Sequence, residues 1–101
     1  MTDIEFDWDP AKAASNKRKH GISFEDAMTV FLDPLALTRF AEDSFIHEER
    51  WITLGQARIG WLLMVVHTHV EISADRVYIR IISARKPTKN ENRYYSEGLS
   101  P

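Results

Sequence analysis

The stretch Arg76 to Lys86, RVYIRIISARK, constrains this chain more than any other. β-Branched and aromatic residues dominate it, which is the composition of a strand that packs on both sides. Successive strand residues point to opposite faces. The spacing therefore predicts Val77, Ile79, Ile81 and Ser83 on one face and Tyr78, Arg80, Ile82 and Ala84 on the other. Arg80 is the anomaly, a cation in mid-strand with Arg85 and Lys86 at the exit. A buried charge needs a partner, here Glu49 or Glu71 across the sheet. Facing a cleft instead, its planar fork of donors suits phosphate.

The rest of the chain can be arranged around that strand. Ile4, Phe6 and Trp8 alternate with acids and read as a short strand. Asp9 and Pro10 start a helix, as N-cap and first helical residue, and Gly21 ends it. Ser23 caps a second helix, with Phe24, Ala27, Met28 and Phe31 as its buried stripe and Asp33-Pro34 as its stop. Then the period falls to two. Strands are expected at Leu35–Phe40, Glu49–Gly55 and, as one long central strand, Trp61–Glu71, with a loop at Ala41–His47. Pro87 stops the Arg76 strand, and Thr88 with Glu91 forms a capping box for a last helix. Helices at the two ends and short turns between the strands predict an α+β fold. It has a mostly antiparallel sheet with two N-terminal helices and one C-terminal helix packed on it.

At 101 residues, with 44% of them apolar, the chain makes one domain, 1–101, with a core of ordinary size. No apolar run approaches the roughly 18 residues of a membrane span. The N-terminus MTDIEFDWD lacks a basic region followed by an apolar block, and there are no cysteines, so a cytoplasmic location is expected. The net charge of −2 requires that any anionic partner be met by a local cluster.

Two such clusters exist. Lys12, Asn16, Lys19 and His20 share one face of the first helix, flanked by Lys17 and Arg18. Surface helices are often charged in this way, so alone the face is weak evidence. The second cluster is Arg50, Arg80, Arg85 and Lys86, with Lys89 and Arg93 on the last helix. His67 and His69, two apart in a strand, form half a metal site at most, and no third ligand has a telling spacing. His20 and His47 are acid–base candidates, because imidazole titrates near neutrality. There is no phosphate-binding glycine loop, nucleophile elbow or zinc-protease motif, and no metal or cofactor is expected.

The wording of the chain resembles the BrnT family of bacterial toxins, the toxin half of type II toxin–antitoxin pairs. The resemblance runs from Phe6 to Tyr95. It is carried by Trp8, Asp9, Lys12, Asn16, Lys19, His20, Gly21, Ile22, Ser23 and Phe24, by Glu49, Arg50 and Gly55, and by Arg80 to Arg85 with Thr88, Glu91 and Tyr95. The family often has Arg directly after the helix Glu, whereas here Asn92 follows it and Arg93 comes next. The resemblance implies a RelE/ParE-like fold and a ribonuclease that inhibits translation. It also implies a cognate BrnA-like antitoxin in a two-plus-two complex, which meets promoter DNA only through the antitoxin.

Metal-free RNA cleavage needs a base for the 2′-hydroxyl, cations for the pentavalent phosphate and an acid for the leaving oxygen. The expected catalytic set is His20 or Lys19 as the acid–base group, Glu49 as a possible base, and Arg80 and Arg85 as phosphate clamps. Arg50, Lys12, Asn16, Lys86 and Tyr95 are the expected substrate contacts, with an aromatic ring stacking on a base. The alternative is a protein-binding module without chemistry, or a toxin aimed at a protein such as gyrase, since target does not follow from fold.

Overall fold

Helix ends lie where side-chain chemistry places them. The computed structural model describes residues 2–41 and 49–98. Strand β1 (Asp3–Trp8) leads into α1 (Pro10–His20), where the Asp9 carboxylate accepts from the Ala11 N–H and Gly21 closes the helix at φ 73°. Ser23 caps α2 (Phe24–Met28), which tightens into a 3-10 turn over Thr29–Leu32. Strands β2 (Leu37–Ala41), β3 (Arg50–Gln56), β4 (Leu62–His67), β5 (Val70–Ser73) and β6 (Arg76–Arg85) follow. The capping box of Thr88 and Glu91 opens α3 (Lys89–Glu97). The expected loop at Ala41–His47 falls, beyond Ala41 itself, outside the described residues; Ala41 ends β2.

The sheet has the order β1-β6-β4-β3-β2, with β5 also on β6. All pairings are antiparallel except β1 with β6, which run parallel. The fold is therefore α+β with a mixed sheet, and β6 is its hub. One face is covered by α1, α2 and the 3-10 turn. Its core holds Ile22, Phe24, Ala27 and Val30 against Leu63, Val65, Ile79, Ile81 and Ala84. α3 lies on the other, far face at the Gln56 end of β3. The Tyr95 hydroxyl donates to Asp33 at 2.5 Å, and Asp33 also accepts from the Gln56 N–H.

Two expectations about the strands need correction. The run Trp61–Glu71 is not one strand. It breaks at Thr68 and His69, because Thr68 turns to serve β6: its N–H donates to the Arg80 carbonyl at 2.9 Å and its Oγ1 accepts from the Arg80 N–H at 3.0 Å. The second correction concerns the faces of β6. Val66 pairs with Ser83 but His67 with Ile81, so Ile82 is an extra residue on β6. This bulge resets the alternation. Ala84 joins Ile79 and Ile81 in the core instead of sharing a face with Arg80, and Ser83 and Arg85 pass to the far face, on the side of Arg80.

The contact between β3 and the 3-10 turn is close enough to require glycine at position 55. A Cβ there would sit 2.7 Å from Val30 Cγ1 and 3.0 Å from the Ala36 Cβ. Gly55→Ala is expected to cost roughly 1–3 kcal/mol through overpacking, read by chemical denaturation. Val30→Ala in the same chain should recover part of that loss if steric overlap is the cause.

Candidate active site

Strand β1 pairs with β6 only as far as Ile81, and the chain then leaves the sheet as α1. The edge of β6 beyond the bulge would be left with bare backbone groups. Asn16 fills the gap. Its Oδ1 accepts from the Ala84 N–H at 3.1 Å, and its Nδ2 donates to the Ala84 carbonyl at 2.8 Å and to the Ile22 carbonyl at 3.1 Å. The carboxamide thus imitates a neighbouring strand. Asn16 is 6% exposed and both amide hydrogens are used, so in this structure it serves as a structural clamp.

Docking α1 along that edge creates a shallow cleft of about 180 Å³. It is lined by Lys12, Ser15, Asn16, Lys19 and His20 from the helix and Ile82 and Ser83 from the bulge. The expected helix face is therefore real, and Lys12, Lys19 and His20 are exposed along it. The last turn of α1 carries Lys17, Arg18, Lys19 and His20 at the negative end of the helix dipole. No acidic side chain lines the cleft among the described residues.

Ser83 connects this cleft to the far face, where it stands in a cross-strand row with Val66, Ile52 and Arg39. Half-buried Arg80 and Arg50 belong to the same face. Arg80 is bonded through its backbone to Thr68, the residue that follows β4 opposite the start of β3. Glu49, exposed just before β3, stands next to Arg50 in sequence and does not line the α1 cleft.

Two of the remaining expected residues, Arg85 and Tyr95, hold α3. Arg85 makes a two-pronged ion pair with Glu91, Nη1 to Oε1 at 2.8 Å and Nη2 to Oε2 at 3.0 Å. The pair raises the Arg85 pKa and holds the Glu91 carboxyl down to about 2. Arg85 thus serves as an anchor in this structure, and as a phosphate clamp it would first have to exchange Glu91 for substrate. Tyr95 is committed to Asp33, whose hydrogen bond pushes the phenol up to about 12. Partial burial acts to raise the Asp33 pKa, but hydrogen bonds from Tyr95, Gln56 and Leu35 outweigh it and hold the carboxyl below its usual range. Lys86 lies 4.3 Å over the Trp61 ring, at the Arg85 end of β6. Arg93 faces Glu97 along α3 at 3.8 Å.

Neither histidine of the His67–His69 pair is placed to hold a metal. His67 is buried, donates from Nδ1 to the Thr68 carbonyl and accepts at Nε2 from Thr53 Oγ1 at 2.7 Å. Burial pushes it down to about 4, so it is neutral at pH 7. The His69 ring rests against Trp51. Among the described residues, no group of three His, Asp or Glu could hold a metal ion. His47 lies outside the described residues. Arg39 and Ser83 are not among the residues that the sequence singles out for function. Arg39 is a cation in mid-strand, the same anomaly that singled out Arg80, whereas Ser83 gives no signal until the bulge is known.

Comparison with known proteins agrees with this architecture. The family model described as "Ribonuclease toxin, BrnT, of type II toxin-antitoxin system" matches residues 8–91. The crystal structure of the Brucella abortus ribonuclease toxin, BrnT, has a similar fold, with a TM-score of 0.60 and 20% sequence identity over 86% of this chain and 100% of that one. No curated protein matches the chain. No helix among the described residues is long and apolar enough to cross a membrane.

Proposed function

Since the chain belongs to the BrnT family of ribonuclease toxins of type II toxin–antitoxin systems, we propose that it inhibits translation by cutting RNA without a metal, the ribose 2′-hydroxyl attacking the adjacent phosphorus. The observation that carries this reading is the α1 cleft. It brings Lys19 and His20 to the bulge at Ile82–Ser83, on the strand that bears Arg80.

In this scheme His20 moves the proton. Its imidazole takes the 2′-hydroxyl proton, and the imidazolium so formed gives that proton to the leaving 5′-oxygen. Lys19 serves better as a fixed charge, because an ammonium gives up its proton near neutrality only after a large downward shift. Arg80 stabilises the charge that gathers on the pentavalent phosphate. Lys12 steers the strand into the cleft. Glu49 is the alternative base. A BrnA-like antitoxin neutralises the toxin in a two-plus-two complex and carries that complex to promoter DNA.

The test is RNA cleavage in a chelating buffer, with growth arrest on induction as a second readout. Wild type should keep its activity in the chelator. His20→Ala and Arg80→Ala should each lose about a hundredfold or more, the low end for a general acid–base group or a transition-state donor. Full cleavage by both variants, with unchanged circular dichroism, would overturn the assignment.

A further inference from the structure

Arg39 and Arg50 share the far face of the sheet. Arg39 pairs with Ile52 and Ala41 with Arg50, so the two arginines are diagonal neighbours across β2 and β3. Diagonal side chains of this length reach one another, and like charges so placed repel. Both residues are half-buried, and the Nε atom of each is shielded from solvent without a hydrogen-bond partner. The hydrogen bond that Arg39 does make, from Nη1 to the Phe40 carbonyl, is long at 3.4 Å. Among the described residues no carboxylate pairs with either guanidinium. Two adjacent cations with buried, unused donors are costly unless an anion joins them.

We propose that Arg39 and Arg50 form an anion subsite that takes a phosphate of the RNA chain flanking the one that is cut. This rests on the ribonuclease reading above and extends it to how the substrate is held. The row Ser83, Val66, Ile52, Arg39 runs from the α1 cleft to this subsite across β6, β4, β3 and β2. Three strand spacings make roughly 14 Å, so the subsite is too far from the cleft to touch the scissile phosphate. Val66 and Ile52 give an uncharged floor between the two, over which a nucleotide can lie. Arg39 is accordingly a binding residue and not a catalytic one, and it determines the length of RNA the protein grips.

The probe is a single-stranded oligoribonucleotide with 2′-O-methyl groups, which binds but lacks the attacking hydroxyl. Its affinity is followed against salt by fluorescence polarisation. Arg39→Gln should weaken binding about tenfold, the loss of one charge-assisted contact. It should also flatten the plot of log affinity against log salt by about 0.7, one phosphate contact fewer on a single strand. Arg39→Lys should keep the salt slope and lose part of the affinity. Single-turnover cleavage at saturating RNA should fall far less in Arg39→Gln than in Arg80→Ala. If Arg39→Gln binds like wild type while Arg80→Ala binds weakly, the subsite is refuted and the ribonuclease reading stands. If wild type shows no salt-dependent RNA binding, both fall. If Arg39→Gln keeps its RNA affinity but loses affinity for the antitoxin, the pair is a protein-docking contact and the subsite is likewise refuted.

Discussion

Asn16→Ala is expected to unfold this protein more readily than any surface substitution on α1. Three buried backbone groups, the Ala84 N–H and the carbonyls of Ala84 and Ile22, lose their partner together. An unsatisfied buried group costs roughly 1–3 kcal/mol, and water entering the gap recovers some of that, so a net loss of about 3 kcal/mol is expected. For a chain of this size that lowers Tm by roughly 12–24 °C. Asn16→Asp should be at least as damaging, since a carboxylate cannot donate to two carbonyls and carries a charge into a buried place. Lys12→Ala, one turn earlier on the same face but exposed, should stay within about 0.5 kcal/mol. Denaturant titration of the three variants decides the matter. If Asn16→Ala keeps full stability and loses only cleavage, the clamp is refuted and Asn16 returns to the list of substrate contacts.

A second large effect should appear with pH. The native state holds His67 neutral with a pKa of about 4, against 6.5 in the unfolded chain. Above pH 6.5 neither state is protonated there and the residue adds no pH dependence. Between 6.5 and about 4 the unfolded state binds a proton that the native state refuses, so stability falls as pH falls. The full loss, complete near pH 4, is roughly 3 kcal/mol. The paired carboxylate Glu91 acts in the same direction but lower, from its ordinary 4.5 toward about 2. The window above pH 4.5 therefore belongs largely to His67. Urea denaturation at pH 7 and pH 5 should show the decline in wild type, and His67→Gln should remove most of it. An equal decline in the variant would assign the effect to other groups.

The legible parts of the fold were those decided by neighbours in sequence. Asp9 with Pro10, Gly21, Ser23 and the Thr88–Glu91 box act within four residues of the ends they set, so the helices could be placed from the chain alone. The break at Thr68 could not, because its cause is the backbone of Arg80, a partner brought there by the sheet. Nor could the bulge at Ile82, since strict alternation is the sequence-level rule and an inserted residue leaves no mark in composition. The site divides in the same way. The helical spacing of Lys12, Lys19 and His20 gave one wall of the cleft correctly. Asn16 has that same spacing, yet the bare edge of β6 turns it inward. Arg85 lies on the far face with Arg80 only because the bulge moves it there, and Glu91 then holds it.

The central position of β6 also has a consequence for synthesis. The strand that β1, β4 and β5 pair with, and against which α1 and α2 pack, is residues 76–85, which follow all of them in sequence. During translation the first helices and the cationic face of α1 emerge with no sheet to dock on. Asn16 has no Ala84 to clamp, and the cleft has no floor. Pairing across some seventy residues comes late and slowly. A growing chain of this kind has no α1 cleft until residues 76–85 have been made.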